Sequence, residues 1–139
     1  MHNSGLFFAN ANKAWKTNFQ QEVYSEHYED GILRADEIET QNLALCNLVV
    51  LSACETGLGE IKGDEGVFGL QRAFKLAGVR YVLMSLWSVP DGATKELMTR
   101  FYKNIVLGQD VETAFSHAQK TMDKDGYGIL GWGGFVLLH

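Results

Sequence analysis

The chain has 139 residues, 46 % of them hydrophobic, which is one domain's worth of polypeptide and enough to bury a core. Its net charge of −5, with twelve Lys and Arg scattered singly, argues against a nucleic-acid or anionic-membrane surface, because phosphate binding relies on clustered basic side chains. No basic segment followed by an apolar one opens the chain, and no stretch approaches about eighteen uninterrupted apolar residues, so neither a leader nor a membrane span is expected.

Met1-His2-Asn3 leads straight into the apolar run Leu6-Phe7-Phe8-Ala9, with no room for a preceding strand. From Lys13 to Glu29 polar and aromatic residues mix without a sustained period (Trp15, Phe19, Tyr24, Tyr28), which reads as an irregular surface insertion. Asp30-Gly31 is a turn pair, Ile32-Leu33 a short extended piece, and Ala35 to Thr40 a short helix presenting Ile38 inward. Leu43 to Ala53 reads as the central strand of a parallel sheet. Its core, Leu48-Val49-Val50-Leu51, has no polar alternation and suits cover on both faces.

The glycines at 57, 59, 63 and 66 then exclude a continued strand or an ordinary helix. Glu65 to Ala77 carries Val67, Leu70, Phe74 and Ala77 at helical spacing, widened by Phe68, Ala73 and Leu76, and Gly78 closes it as a left-handed cap. Tyr81 to Trp87 is the next strand, and a strand-helix-strand unit of this size implies parallel neighbours with a right-handed crossover. The chain leaves the sheet at Pro90. Asp91 can cap a helix burying Thr94, Leu97, Met98, Phe101 and Ile105 and ending at Gly108. Asp110 caps a third helix with Val111, Ala114, Phe115, Ala118 and Met122 inward. Glycine-rich 126–134 reads as loop, and Phe135 to Leu138 as a last strand. The sum is a single α/β domain, a doubly wound, mostly parallel sheet with helices on both faces.

Cys54 stands at the carboxyl end of the expected central strand, the edge where ligands and chemistry gather in open α/β sheets. That placement makes it a candidate nucleophile; the competing reading is a small buried hydrophobe. Cys46 lies eight positions earlier and reads as a shielded structural thiol. The two are too far apart along an extended chain to bridge, which suits a reducing compartment and a cytoplasmic location. Glu55 beside the thiol raises its pKa rather than lowering it. The glycine loop lacks a Gly-Lys-Ser/Thr ending and carries Glu60, Asp64 and Glu65, so it is no phosphate cradle. His2, His27, His117 and His139 show no metal-ligand spacing, and no cofactor is expected. His2 precedes Cys54 by 52 residues, a separation familiar among cysteine peptidases, but it cannot terminate a strand one residue from the start.

Ser52-Ala53-Cys54-Glu55-Thr56-Gly57, then Gly66-Val67-Phe68-Gly69-Leu70, Ala77-Gly78-Val79-Arg80, Ser85-Leu86-Trp87-Ser88-Val89 and Trp132-Gly133-Gly134-Phe135-Val136-Leu137 resemble the CHAT domain family, as do Ser4 to Asn12 and Asp30 to Leu33. These are caspase-like domains of the clan that holds caspases, separase and gingipains, often found downstream of tetratricopeptide repeats. The resemblance implies a caspase-like fold and a Cys-His dyad with Cys54 as nucleophile. It places the histidine on a strand ending in His-Gly upstream of Ser4-Gly5-Leu6, and the glycine after it as a second oxyanion donor. That strand is not in these 139 residues, so the domain is expected to be incomplete at its N-terminus and inactive alone.

By resemblance to caspases, Ser85, Leu86 and Trp87 pair main chain to main chain with an extended substrate, a form of β-augmentation. Trp87 then either walls a subsite or covers the core. Asp91 either offers a carboxylate to a basic substrate side chain or caps its helix. Arg34 stands where the family more often has a capping threonine. Two readings follow: a cysteine endopeptidase domain completed by an upstream segment, or a non-catalytic caspase-like interaction module. Expected partners are a polypeptide substrate, an upstream tetratricopeptide-type segment, and a second copy through an exposed sheet edge.

Overall fold

The structure is a computed structural model that describes residues 5–8, 31–51 and 65–139. The polar insertion read over 13–29, and Cys54 with its glycine loop, lie outside the described residues.

In chain order the elements are β1 (Gly5–Phe7), β2 (Ile32–Arg34), α1 (Ala35–Glu39), β3 (Leu48–Leu51), α2 (Glu65–Leu76), β4 (Tyr81–Ser85), α3 (Asp91–Val106), α4 (Val111–Lys124), α5 (Ile129–Trp132) and β5 (Phe135–Leu138). β1 and β2 form a small antiparallel ribbon with Leu6 opposite Leu33. The other three strands form a sheet of order β3-β4-β5, parallel between β3 and β4 and antiparallel between β4 and β5.

Both faces of this sheet are covered, which is why the strand residues show no polar alternation. Tyr81 and Leu83 of β4, with Leu48, Val50, Phe135 and Leu137 from its neighbours, pack against Leu97 and Phe101 of α3 and Ala114, Phe115, Ala118 and Met122 of α4. Val82, with Val49 and Leu51, turns the other way onto Ile38 of α1 and Leu70, Ala73, Phe74 and Ala77 of α2. Among the described side chains the stripes read from spacing face the sheet, with Leu70, Ala73, Phe74, Ala77, Leu97 and Phe101 buried and Thr94, Met98 and Ile105 half-buried, whereas Leu76, read as part of the α2 stripe, is exposed; the side chains of Val67 and Phe68 lie outside the description.

Three features differ from the sequence reading. First, among the described strands β4 lies between the other two with all five residues buried, whereas β3 is described over Leu48–Leu51 and is half-buried there; Ser52 and Ala53 of the expected strand lie outside the described residues. Residues 43–47 form a turn tied to the end of α2 by Leu43 N–H donating to Ala77 O at 2.8 Å. Cys46 lies in that turn, half-buried, with its thiol 3.6 Å from Leu48 O. Second, β5 runs antiparallel. One helix between two strands returns the chain for a parallel partner, but α3 and α4 form a pair, and the second helix sends it back up so that β5 must descend. Third, the glycine-rich 126–134 segment holds the helical turn α5. It is fixed by Trp132 Nε1 donating to Tyr127 O (3.2 Å) and by Gln119 Nε2 donating to Trp132 O (3.2 Å) and Phe135 O (3.3 Å).

Local chemistry sets the ends of the helices. Gly78 closes α2 at φ +98°, with Val79 N–H reaching Phe74 O at 3.0 Å and Lys75 Nζ donating to the carbonyls of Val79 and Arg80. A Cβ on Gly78 would stand 3.1 Å from Ala44 Cα, so the cap also admits the β3 turn. Arg34 precedes α1 without a side-chain cap; instead the Glu37 carboxylate accepts the Arg34 N–H at 2.7 Å. The Asp110 carboxylate accepts the Thr113 N–H at 3.0 Å, as expected of the α4 cap. Arg100 of α3 binds Glu96 one turn earlier and Asp125 beyond α4, each at 2.7 Å, pinning the two helices together.

Candidate active site at the carboxyl edge of the sheet

Parallel pairing decides where the chemistry can gather. Leu48 to Leu51 run beside Tyr81 to Met84 in step, so β3 and β4 finish at the same edge, and Ser85 is the last residue of β4. Cys54 stands three residues after Leu51 in the sequence, and its side chain lies outside the described residues. What is described is the β4 half of that edge.

Ser85 is buried and sits opposite Phe135 of β5. The Leu86 N–H donates to Gly134 O at 2.7 Å, so this donor is already used by the segment leading into β5. Beyond it, the backbone N–H and C=O groups of Trp87 and Ser88 have no hydrogen-bond partner among the described residues. Of the stretch read as a substrate-pairing edge, then, Ser85 and Leu86 face β5, and the open main chain begins at Trp87. Trp87 is 41 % exposed and donates its indole N–H to Leu130 O at 3.3 Å. It rests on Gly134, where a Cβ would come within 2.9 Å of the ring. It is therefore a rim residue with one face on the 127–134 segment and the rest in solvent.

Asp91 is exposed and is not the cap of α3. Pro90 occupies that position with extended geometry, its carbonyl accepting from Ala93 and Thr94 at 2.9 and 3.0 Å. A carboxylate in the first turn still favours the positive end of the helix. It also remains open to solvent.

Neither described histidine reaches this edge. Gln109, past the far end of α3, donates to or accepts from His117 Nδ1 at 3.2 Å. Sixteen residues of helix separate that end of α3 from Asp91, a span of about 24 Å. His139 follows Leu138, which sits opposite Val82 near the start of β4, so it lies at the opposite end of the sheet. His2 and His27 lie outside the described residues.

A protein-family model described as the CHAT domain matches residues 1–139. The chain belongs to the CHAT domain family. That family is associated with the caspase-like peptidase clan. Among curated relatives, human tetratricopeptide repeat protein 28 is 36 % identical over 93 residues, and its mouse counterpart 34 % over 93 residues. Each match covers 66 % of this chain but only 4 % of the relative, so this CHAT domain corresponds to a small part of much longer proteins. None of the described helices is long and apolar enough to cross a membrane.

The contribution of Gly134 and Leu130 to the edge of this CHAT domain was not read from the sequence. The only local signal is the pair Gly133-Gly134 immediately before β5, since paired glycines ahead of a strand often admit a close neighbour.

Proposed function

We propose that this CHAT domain is the cysteine-bearing part of a caspase-like endopeptidase, with a doubly wound caspase-like sheet and Cys54 as nucleophile of a Cys-His dyad. The observation that carries this reading is the shared edge: the strand leading to Cys54 and the strand leading to the unpaired backbone of Trp87 and Ser88 are parallel neighbours that end together. A nucleophile beside an open main-chain edge suits an extended polypeptide substrate, held by β-augmentation while the thiolate attacks an amide carbonyl. Attack forms the Cys54–carbon bond. The proton passes to the base and then to the leaving amine, and water releases the acyl group.

In this reading the base comes from the upstream His-Gly strand that the family resemblance implies; of the described histidines, His139 follows the end of β5 opposite the start of β4, and His117 is exposed on α4 beside Gln109. Among the described residues the outer edge of β3 has no strand partner, and this is where a strand bearing the histidine would add, or failing that a second copy of the chain. The relatives' names support a tetratricopeptide-type segment elsewhere in the full-length protein. The same placement of the histidines favours a second reading, a non-catalytic caspase-like interaction module.

A thiol-alkylating peptidyl probe at neutral pH separates the two. With the 139 residues alone, Cys54 labels no faster than a free thiol in either reading. With the upstream segment of the full-length protein present, the peptidase reading expects labelling roughly a hundredfold faster or more, lost in Cys54→Ala. Labelling that stays at the free-thiol rate in the full-length protein refutes the peptidase and leaves the interaction module.

A further inference from the structure

The pole where β3 and β4 begin, opposite the candidate edge, carries an apolar surface that neither the core nor the proposed chemistry uses. Residues 43–47 turn into β3 there, with Cys46 N–H donating to Leu43 O at 2.8 Å. Turn tips of this kind favour Gly, Asn, Asp or Ser. This one presents Leu45, which is fully exposed, and the end of α2 presents Leu76, 58 % exposed.

The turn and the helix end are tied to each other. Leu43 N–H donates to Ala77 O, Arg80 N–H donates to Cys46 O at 3.3 Å, and Gly78 passes so near Ala44 that a Cβ would stand 3.1 Å from its Cα. A backbone fixed in this way holds both leucines in water until another surface covers them.

The charges around them indicate what that surface is. Arg72 lies one turn before Leu76 on α2, Lys75 directly precedes it, and Arg80 follows the Gly78 cap; among the described residues none of the three has a carboxylate partner. Lys75 Nζ is held by the carbonyls of Val79 and Arg80, and the Arg80 guanidinium lies 5.2 Å from the Tyr81 ring centre, so both keep their full charge. The acids on the α4 side are engaged elsewhere: Asp110 accepts from the Thr113 N–H and Glu112 from the Tyr81 hydroxyl. In a chain of net charge −5, cations gathered without acids suit an acidic partner. Three cations fall short of the cluster of about four to eight that holds a segment on an anionic membrane.

The backbone excludes an extended peptide. The N–H groups of Leu43, Cys46, Ala77, Gly78, Val79, Arg80 and Tyr81 are all bonded within the domain, so no row of main-chain donors is left for strand addition. Recognition falls to side chains, which is how an amphipathic helix is bound.

We propose that the turn 43–47 and the end of α2 form a docking surface for an acidic amphipathic helix of another protein. Leu45 and Leu76 meet its apolar face, and Arg72, Lys75 and Arg80 meet its carboxylates. The segment that completes the domain is read to add along the outer edge of β3, which leaves this pole open to a separate chain. The surface depends on neither the reactivity of Cys54 nor the Trp87 edge.

The test titrates the 139-residue chain into a fluorescein-labelled helical peptide of Ala and Glu, with leucines at helical spacing, and reads fluorescence anisotropy. This peptide should bind about tenfold more tightly than the same peptide with Lys for Glu or with Ser for Leu. Raising NaCl from about 0.05 to about 0.5 M should weaken it severalfold. Leu45→Ser, at a fully exposed position and so without effect on the thermal midpoint, should cost about tenfold in affinity. Arg72→Glu should abolish the preference for the Glu peptide over the Lys peptide. The full-length protein should bind the acidic peptide as the 139 residues do.

No binding up to about 1 mM peptide, equal binding of the Glu and Lys peptides, or binding that survives both Leu45→Ser and Arg72→Glu overturns the proposal. Binding by the 139 residues that disappears in the full-length protein assigns the surface to an internal segment and overturns it as well. So does retention on phosphatidylserine vesicles without binding of the peptide.

Discussion

Phe101 offers the sharpest test of how the sheet and the α3–α4 layer are joined. Its side chain is 0 % exposed and meets the Phe115 ring edge to face, with centroids 5.9 Å apart and planes at 85°. Phe101→Ala removes a ring from a close-packed layer, which costs about 3–5 kcal/mol in lost transfer energy and cavity. A domain of this size is stable by only about 5–15 kcal/mol, so one substitution takes a large share. In urea, with a slope of about 2 kcal/mol/M, the midpoint should fall by roughly 1.5–2.5 M with the slope unchanged. The adjacent residue is the control: Tyr102 is 46 % exposed although its ring lies 5.2 Å from Phe101, and Tyr102→Ala should cost under about 1 kcal/mol. A double-mutant cycle of Phe101 and Phe115 should return a coupling of about 0.5–1.5 kcal/mol beyond burial. Equal losses at 101 and 102, or a loss below about 1 kcal/mol at Phe101, would refute the placement of α3 on the sheet.

Two glycines with the same backbone handedness should respond differently to alanine. Gly108→Ala, at φ +90° with nothing within 4 Å, should cost only the left-handed penalty of about 1 kcal/mol, whereas Gly78→Ala, at φ +98° against Ala44, should cost distinctly more in chemical denaturation. The Thr113 N–H holds the Asp110 carboxyl below its ordinary value of 3.8 in the folded state. The cap therefore contributes fully above that ordinary value and is lost as pH falls through the lowered native one. Thermal midpoints across the acid range should show a shallower decline in Asp110→Asn, which still caps but does not titrate, than in the parent chain.

Much of the fold was legible in the sequence because the signals are local. The α4 stripe of Val111, Ala114, Phe115, Ala118 and Met122 is buried throughout, Ile38 is the inward residue of α1, and Asp110 and Gly78 end their helices as their chemistry requires. Each depends only on the helical repeat or on one residue's own backbone preferences. Beside the candidate site, the exit of the chain from the sheet ahead of Pro90 was legible, but the cap was misread. Pro90 has no side-chain donor or acceptor to advertise it, yet it sits at the cap and leaves Asp91 exposed in the first turn.

The sequence alone determined the family, the periodicity of each helix, the ends of α2 and α4, and the parallel pairing of the strands flanking α2. Only the tertiary structure decided that β4 lies between β3 and β5 among the described strands, that β5 descends, and that Gly134 and Leu130 hold the Leu86 amide and the Trp87 indole. Those outcomes depend on pairings across forty or more residues and on two helices rather than one intervening before the last strand. Chain spacing carries no record of either.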